Sequence, residues 1–266
     1  MSSEPPSKTG LVNGRLWGAR ALDWAEAQEG QFRAGYEDVL KRVGLSAATW
    51  YCDVGCGSGL AAYIAAEYGA QISGLDASDT LLEIARERLP VGDFRLGEME
   101  DLPFADHSFH VVTGFNSFQY AARPVRALAE AKRVTKPGGL VVVMTWGPPD
   151  GMPAAAIVGA LKPLLPAPPP GAPGPFALSD ETALRAFAQQ AGLEPMEARL
   201  VATQWSYPDL PTALRGLGSS GVAMRARENS SAAAVDQVHQ AALAPFRQPD
   251  GSYRLDASYG WLIARA

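Results

Sequence analysis

The stretch Trp50-Tyr51-Cys52-Asp53-Val54-Gly55-Cys56-Gly57-Ser58-Gly59-Leu60 decides the fold. Its first five residues predict a buried strand, and the glycines that follow predict a tight turn into a helix over 59–69. Gly55 permits the turn, Gly57 lets the backbone approach a ligand, and Gly59 admits close helix packing. Backbone N–H groups at the start of that helix would face the ligand and favour a carboxylate or a phosphate. The stretch therefore predicts the first unit of a nucleotide-binding α/β fold.

Short apolar strands and amphipathic helices continue to alternate along the chain. Wholly apolar strands between helices are typical of a parallel sheet that is covered on both faces. Because right-handed crossovers bring the carboxyl ends of such strands to one edge, ligands are expected to bind at that edge. The strands are expected at 50–54, 71–76, 93–97, 109–115, 140–146, 197–205 and 253–264, and the helices at 14–44, 59–69, 78–89, 124–136, 180–191 (capped by Ser179) and 210–247.

The composition is that of an ordinary globular chain and argues against several kinds of partner. The 266 residues are 47% hydrophobic and 19% charged, carry a net charge of −5, and contain no run of Lys or Arg. Proteins that bind nucleic acids concentrate basic residues on one face, so no nucleic-acid partner is expected. The acidic surface disfavours anionic membranes, and no apolar stretch reaches the roughly 20 residues that cross a bilayer. We therefore expect a cytoplasmic protein without a membrane partner.

Cys52 and Cys56 are the two cysteines of the chain. They lie close together without a nearby His or third Cys, whereas a metal site needs more ligands. A disulfide between them would distort the end of the strand and the turn. Both are expected to be small packing residues, and no metal site is predicted.

One domain with insertions accounts for the length of the chain. Residues 1–9 are polar and rich in Pro and Ser, which predicts a disordered tail. Residues 10–45 are expected to form N-terminal helices ahead of a ligand-binding domain at 46–266. Segments at about 147–178 and 206–248 interrupt the alternation and would roof the carboxyl edge of the sheet as a cap. The first of them is rich in proline and predicts a long loop.

An acid precedes the glycine turn and a leucine follows it. A dinucleotide fingerprint of the form G-x-G-x-x-G would place a glycine at the position of Leu60. Asp53 would repel a pyrophosphate but suits a ligand that carries an ammonium group. The turn therefore favours a ligand with both an ammonium and a carboxylate group over a dinucleotide.

Two further acids follow the second and third strands. Asp76 ends the second strand, where an acid can accept hydrogen bonds from both hydroxyls of a ribose. The alternative is a helix cap, but Ser78 or Asp79 could fill that role. Glu98 can accept a hydrogen bond from an adenine amino group while Met99 packs on the ring, the alternative being a solvated acidic loop. The order of turn, ribose acid and adenine acid predicts a nucleoside ligand.

Four segments carry a resemblance to a known family: DVGCGSG (53–59), GLDAS (74–78), GEMEDLPFADHSFHVV (97–112) and RVTKPGGLVVV (133–143). In this order they resemble the class I S-adenosylmethionine (SAM)-dependent methyltransferases. The branch they are most similar to contains ubiquinone- and menaquinone-type C-methyltransferases and natural-product small-molecule methyltransferases. LWGARA (16–21) resembles the lid helix of that branch. The resemblance implies a Rossmann-like, seven-stranded, mostly parallel sheet of order 3-2-1-4-5-7-6 with the last strand antiparallel, helices on both faces and a helical cap.

The resemblance also implies the cofactor, SAM, with S-adenosylhomocysteine as its product. Asp53 and the glycine turn would hold the methionine moiety, Asp76 the ribose, and Asn116 would line the sulfonium. The full set of expected cofactor-binding residues is Asp53, Gly55, Cys56, Gly57, Gly59, Asp76, Ala77, Glu98, Met99 and Asn116. The family more often has Asp-Ala at Glu98-Met99, which can move the adenine contact to the backbone. It usually has Asp at His110, far from the expected site.

The activity implied by the resemblance is methyl transfer to an O, N or C atom of a small molecule, in secondary metabolism. Trp17, Gln119, Tyr120 and Trp146 are expected to bind this substrate. The catalytic base is not identified; Tyr120 and His239 are weak candidates, and His239 is expected to be solvated on a surface helix. The apolar content of the two insertions favours an apolar, bulky acceptor.

Three alternatives stay open at this stage. A SAM-binding catalyst that transfers no methyl group would carry the same cofactor motifs. An NAD(P)-dependent oxidoreductase is disfavoured by Leu60 and by the acids near the adenine position. A non-enzymatic interaction module would bind no adenosyl ligand. The oligomeric state is open between monomer and homodimer.

Overall fold

A computed structural model describes residues 9–167 and 174–266, so most of the predicted tail and the prolines at 168–170 lie outside the described residues. One seven-stranded sheet has the order β3-β2-β1-β4-β5-β7-β6. The strands are β1 (Trp50–Val54), β2 (Gln71–Asp76), β3 (Asp93–Leu96), β4 (Phe109–Phe115), β5 (Thr135–Trp146), β6 (Glu194–Tyr207) and β7 (Tyr253–Arg265). The α-helices are α1 (Gly10–Gly18), α2 (Ala21–Asp23), α3 (Arg33–Leu40), α4 (Leu60–Glu67), α5 (Asp79–Arg88), α6 (Pro124–Val134), α7 (Pro153–Ala160), α8 (Glu181–Gln190), α9 (Leu210–Leu217), α10 (Gly221–Asn229) and α11 (Ala232–Leu243).

Strands β1 to β5 are parallel, and β7 runs antiparallel to both of its neighbours. In this register Asp53 of β1 lies opposite Gly74 of β2 on one side and Thr113 of β4 on the other. The expected Rossmann-like sheet order is therefore confirmed. The carboxyl ends of β1, β2 and β4 meet at one edge, as parallel pairing requires.

The apolar strands supply side chains to both faces of the sheet. Along β5, Val142 and Met144 belong to one buried cluster, whereas Val141 and Val143 belong to the other. This alternation follows from the two-residue period of a strand. Cys52 and Cys56 are free, buried thiols within the two clusters, which confirms the predicted packing role.

The N-terminal segment differs from the single helix expected over 14–44. Between α2 and α3 the chain forms a π-helical turn at Trp24–Gln28 and a 3-10 turn at Glu29–Phe32. These turns bury both Glu29 and Phe32. Apolar spacing alone could not reveal this bend, because a partner for a buried Glu lies far away in sequence.

Two other predicted segments also differ in detail. The expected loop at 147–178 contains α7, whose Ala154 and Ile157 are buried and whose Pro153 occupies the first turn. The expected helix over 210–247 is three helices, because Ser220 and Ser231 each cap the start of a new one.

Helix α8 begins one residue later than expected. The side chain of Asp180, rather than that of Ser179, accepts the capping hydrogen bond, from the backbone N–H of Ala183 at 2.9 Å. Asp is as good a cap as Ser, so sequence alone leaves the two adjacent candidates equivalent.

None of the helices within the described ranges combines the length and apolarity needed to span a bilayer. Over the same ranges, no three His, Cys, Asp or Glu side chains gather as metal ligands.

Candidate cofactor and acceptor site

The glycine turn after β1 has three glycines in the left-handed region, with φ of +76° at Gly55, +54° at Gly57 and +83° at Gly59. A Cβ added to Gly55 would lie 2.4 Å from the Cβ of Ser117, and one added to Gly59 would lie 2.9 Å from the Cβ of Ala85. Gly57 is different, because the nearest atom to an added Cβ is the Trp24 indole nitrogen, at 3.9 Å. Gly55 and Gly59 therefore serve packing, and Gly57 leaves space for a ligand.

Asp53 lies buried under the turn, and its carboxylate accepts a hydrogen bond of 2.7 Å from the Thr113 hydroxyl. The Tyr51 hydroxyl lies 2.6 Å from the Thr113 oxygen and donates to it, because the hydrogen of Thr113 is already given to Asp53. Burial raises the pKa of Asp53 to about 7, the Thr113 hydrogen bond opposes that rise, and the charge of Asp76 adds to it. A buried carboxyl of this kind suits a cationic ligand.

Thr113 was not foreseen, although the sequence carried a signal for it. It is a polar residue in the otherwise apolar core of β4, directly opposite Asp53 in the parallel register. A hydroxyl there meets the need of a buried carboxylate for a donor.

Asp76 is tied to the glycine turn. One carboxylate oxygen accepts the backbone N–H of Gly57 at 2.8 Å and the other accepts that of Ser78 at 2.9 Å. Burial raises the pKa of Asp76, and hydrogen bonds from backbone N–H groups oppose the rise. Ser78 caps α5 through a 3.3 Å hydrogen bond from the backbone of Leu81, so Asp76 is not needed as the cap. Each Asp76 oxygen keeps a lone pair for a ligand.

Helix α1 lies over the ends of β2 and β3. The backbone N–H of Gly10 donates to Glu98 at 2.9 Å. Gly14 packs so closely on the backbone of Ala77 that an added Cβ would lie 2.0 Å from the Ala77 oxygen. Met99 is partly buried against the cluster beside β4. Helix α1 thus contacts Glu98 directly and packs on Ala77, the residue after Asp76, and we call residues 10–32 the lid segment.

Asn116 and Gln119 follow β4 at the same edge. Asn116 has a φ of +50°, and its Nδ2 atom is buried with no hydrogen-bond partner among the described residues. Gln119 donates to Asn116 Oδ1 at 3.4 Å. The loop is anchored by a 2.6 Å hydrogen bond from the Ser117 hydroxyl to the Val54 oxygen.

Tyr120 lies between this loop and the lid segment. Its backbone oxygen accepts a hydrogen bond of 2.9 Å from the side chain of Asn13. Its ring packs edge to face against that of Trp17, with the ring centroids 5.5 Å apart. Burial raises the pKa of Tyr120 to about 12, so the phenol stays protonated near neutral pH. Tyr120 is therefore suited to donate a hydrogen bond rather than to act as a base.

A chain of aromatic rings connects Trp17 to Trp146 and runs deeper than the loop. The ring centroids of Trp17 and Trp24 lie 5.0 Å apart, those of Trp24 and Phe32 lie 5.8 Å apart, and those of Phe32 and Trp146 lie 5.9 Å apart. Trp146 is buried and also packs against Tyr259, which places it in the core beneath the lid segment. The structure brings Trp17 and Tyr120 together directly, and connects Trp146 to them only through other rings.

His239 is buried, so the expectation of a solvated side chain is wrong. Val235, His239 and Leu243 share the buried face of α11, which packs against α7, α9 and α10 of the cap formed by the two insertions. Burial lowers the pKa of His239 to about 4, Asp236 opposes this shift and Arg227 adds to it. Its Nδ1 atom has no hydrogen-bond partner among the described residues, and so makes no hydrogen bond with Asn116 or Tyr120 at the sheet edge.

A buried ion pair links the lid segment to the glycine turn. Glu29 accepts hydrogen bonds from the Ser58 hydroxyl and from Arg88, and Arg88 also donates to the Ser58 oxygen at 2.8 Å. Glu29 was not singled out from the sequence, because it lies in a polar helical run with no motif around it. We call this contact the Glu29–Ser58–Arg88 link.

His110 lies at the amino edge of the sheet, away from the glycine turn, as expected from its position at the start of β4. The backbone N–H of Trp50 donates to its Nδ1 at 3.0 Å, and Lys136 Nζ lies 2.9 Å from its Nε2.

Comparison with known proteins agrees with this geometry. Residues 52–143 match the protein family described as a methyltransferase domain. This segment lies within a sheet of order β3-β2-β1-β4-β5-β7-β6, which is the order that the resemblance to class I SAM-dependent methyltransferases implies.

Two groups of relatives have named activities. Over 120 residues the chain is 38% identical to the demethylmenaquinone methyltransferase of Renibacterium salmoninarum, a match covering 45% of this chain and 51% of that protein. Over 129 residues it is 33% identical to the malonyl-acyl-carrier-protein O-methyltransferase of Erwinia pyrifoliae, covering 48% of this chain and 49% of that protein. The chain therefore spans about half the length of these curated relatives.

One solved structure matches over almost the full length of both chains. The 4+2 cyclase SpnF superposes with a TM-score of 0.61 over 100% of this chain and 98% of its own, at 21% identity. This likeness extends the common fold to the lid segment and the cap.

Proposed function

We propose that this chain binds SAM at the carboxyl edge of the sheet and transfers its methyl group to a small-molecule acceptor. The observation that carries the proposal is the arrangement of acids around the open glycine. Asp53 is the next-to-last residue of β1, Asp76 ends the neighbouring β2, and Asp76 is hydrogen-bonded to the Gly57 backbone. The proposal includes a role in secondary metabolism, because the sequence resemblance extends to natural-product methyltransferases.

The residues present fit the cofactor. Asp53 is a buried carboxyl that makes no ion pair with a described cation, so the ammonium group of SAM would supply the charge it lacks. Asp76 would hold the ribose, Glu98 the adenine amino group, and Met99 would pack on the ring. The remaining members of the proposed cofactor-binding set are Gly55, Cys56, Gly57, Gly59 and Ala77.

Bound SAM supplies a methyl group on a sulfonium, an electrophile whose transfer depends mainly on alignment. The glycine turn and the acids fix one reactant, and the lid segment excludes water by covering Ala77 and Glu98. A base is required only for acceptors that must lose a proton. Neither Tyr120, which stays protonated, nor His239, which is buried in the cap, is placed to take that role.

Trp17, Gln119, Tyr120 and Trp146 are the proposed acceptor-binding residues. The ring contact of Trp17 with Tyr120 supports an apolar, aromatic acceptor, and the net charge of −5 disfavours a nucleic acid. The two buried, free cysteines support a reducing, cytoplasmic location. Monomer and homodimer are both compatible with the proposal.

The test uses the full chain with trideuteromethyl-SAM and a panel of small phenols, quinols, carboxylic acids and amines. A product that carries the trideuteromethyl group, formed together with an equal amount of S-adenosylhomocysteine, is the expected result. Product without S-adenosylhomocysteine would indicate a SAM-binding catalyst of another kind. Calorimetry that finds NADH but not SAM bound would indicate an oxidoreductase.

A further inference from the structure

Asn116 combines two costly features at the end of β4. Its φ of +50° lies in the left-handed region, which among the described non-glycine residues only His107 shares. Its Nδ2 atom is buried and makes no hydrogen bond within the described residues. A strained backbone and an unpartnered buried donor at one residue indicate a conformation held for a ligand.

The surrounding contacts hold the amide in a defined place. The backbone N–H of Asn116 donates to the Met144 oxygen of β5 at 2.8 Å, and Ser117 is hydrogen-bonded to Val54 of β1. Gln119 engages the Asn116 oxygen, which leaves the NH2 group as the end of the amide without a partner. Because the loop is hydrogen-bonded to both β1 and β5, the backbone that carries the Asn116 NH2 group is held in place.

The chemistry of that NH2 group identifies the kind of atom it needs. An amide N–H is a donor with partial positive charge, so it requires an electron-rich oxygen. A sulfonium is itself positive and is a poor hydrogen-bond acceptor, so it does not satisfy this donor. The carboxylate and ribose oxygens of SAM are expected at the glycine turn and at Asp76, so the ligand left for this donor is the methyl acceptor, beside the rings of Trp17 and Tyr120.

We infer that Asn116 Nδ2 donates a hydrogen bond to an oxygen of the methyl acceptor, and that the acceptor is an aromatic molecule bearing a hydroxyl, carbonyl or carboxyl oxygen. The inference rests on the proposed function and names the substrate class for the same site. It assigns Asn116 to the acceptor, where the resemblance alone placed it beside the sulfonium.

Two substitutions separate the amide from the backbone it sits on. Asn116→Asp keeps the shape and the tolerance of a left-handed φ but removes the donor. Asn116→Gly keeps the positive φ and removes the side chain. Both variants are expected to keep the melting temperature and to bind SAM within about threefold of the unchanged chain, a change of under 1 kcal/mol by the usual conversion.

Acceptor binding is measured with three probes that share one ring: 2-naphthol, 2-naphthoic acid and 2-naphthylamine. Ligand-observed NMR on the full chain with S-adenosylhomocysteine bound reports the affinity of each. We expect the oxygen-bearing probes to bind more tightly than the amine, and both variants to weaken by about tenfold the binding of 2-naphthoate, which at neutral pH can only accept a hydrogen bond. Gln119→Ala, which frees the amide without deleting it, should weaken it less.

Each other outcome overturns the inference. Equal binding of the amine, no binding of either oxygen-bearing probe, or unchanged binding by both variants would mean that the amide does not recognise an acceptor oxygen. A fall in SAM affinity by tenfold or more in both variants, well beyond a threefold change, would assign the amide to the cofactor. Calorimetry of the unchanged chain comes first: if it binds neither SAM nor S-adenosylhomocysteine, the proposed function itself fails.

Discussion

Thr113 donates its hydroxyl hydrogen to Asp53 across the β1–β4 pair, over 2.7 Å. The bond opposes the effect of burial, which raises the pKa of Asp53 to about 7. The protonation state of this carboxyl is therefore poised to respond to a positively charged ligand near neutral pH.

The affinity for SAM is expected to rise with pH through about 7. Below this pH the free protein carries a protonated Asp53, and binding of an ammonium group favours the carboxylate, so binding releases a proton. Each pH unit below 7 then weakens binding by up to about tenfold. Calorimetry across this pH range, in buffers of different ionisation enthalpy, measures both the affinity and the proton release.

Two kinds of variant test the assignment of this titration to Asp53. Asp53→Asn should remove the pH dependence. Thr113→Val should move the midpoint of the pH dependence upward, because it removes the hydrogen bond that holds the pKa of Asp53 down. Thr113→Ser keeps a hydroxyl and should leave the midpoint in place. Identical profiles for the valine and serine variants at this position would contradict the role of the hydrogen bond.

Asp76→Ala should weaken SAM binding by about 1–3 kcal/mol, the usual cost of stranding buried polar partners. The loss includes the hydrogen bond to the Gly57 backbone, so the turn and the ribose contact are affected together. Asp79→Ala is the matched control, because Asp79 is an exposed acid at the start of the helix that follows. An unchanged dissociation constant in the Asp76 variant would refute the placement of the ribose.

Gly14→Ala should disturb closure of the lid segment. The added methyl would lie 2.0 Å from the Ala77 oxygen, which forces α1 away from the end of β2. We expect faster hydrogen exchange in α1 and SAM affinity lowered by about tenfold, or about 1.4 kcal/mol. Gly30→Ala in the same segment is the control, since nothing lies within 4 Å of its added Cβ. Equal behaviour of the two variants would show that α1 does not cover the cofactor.

His239 should make the fold sensitive to acid. Its pKa is lowered to about 4 in the folded protein, against 6.5 when unfolded, so its contribution is complete above 6.5 and is lost as pH falls toward 4. The size is about 3 kcal/mol at about 1.4 kcal/mol per pKa unit. Asp53 has the opposite effect, because its raised pKa stabilises the protein at low pH.

The His239 effect is isolated by comparing the unchanged chain with His239→Gln in urea unfolding at several pH values. The stability difference should shift in favour of the Gln variant as pH falls from about 6.5 to about 4. A difference that stays constant over this window would indicate that folding does not lower the pKa of the imidazole.

The parts of the molecule that sequence predicted well are those determined by local chemistry. The glycine turn and the Ser78 cap follow from residues next to each other, and the sheet order followed from the family resemblance. Thr113 and Glu29 needed long-range knowledge, since each matters through a partner on another element. His239 was misjudged because α11 packs against other cap helices, and an isolated helix pattern does not say which face is covered.

The Glu29–Ser58–Arg88 link holds one end of the lid segment to the glycine turn, whereas α1 at the other end is held at the sheet edge and against α10. Residues near Glu29 are fastened to the glycine turn, while α1 is fastened through Gly10 and Asn13 to loops at the sheet edge. Opening this side of the site would therefore require α1 to separate from those loops and from α10, where Arg15 pairs with Glu228, while the turn keeps its shape. Substitutions in α1 would accordingly alter the rate at which cofactor and product exchange. Substitutions near Glu29 would instead alter the affinity of the glycine turn for its ligand.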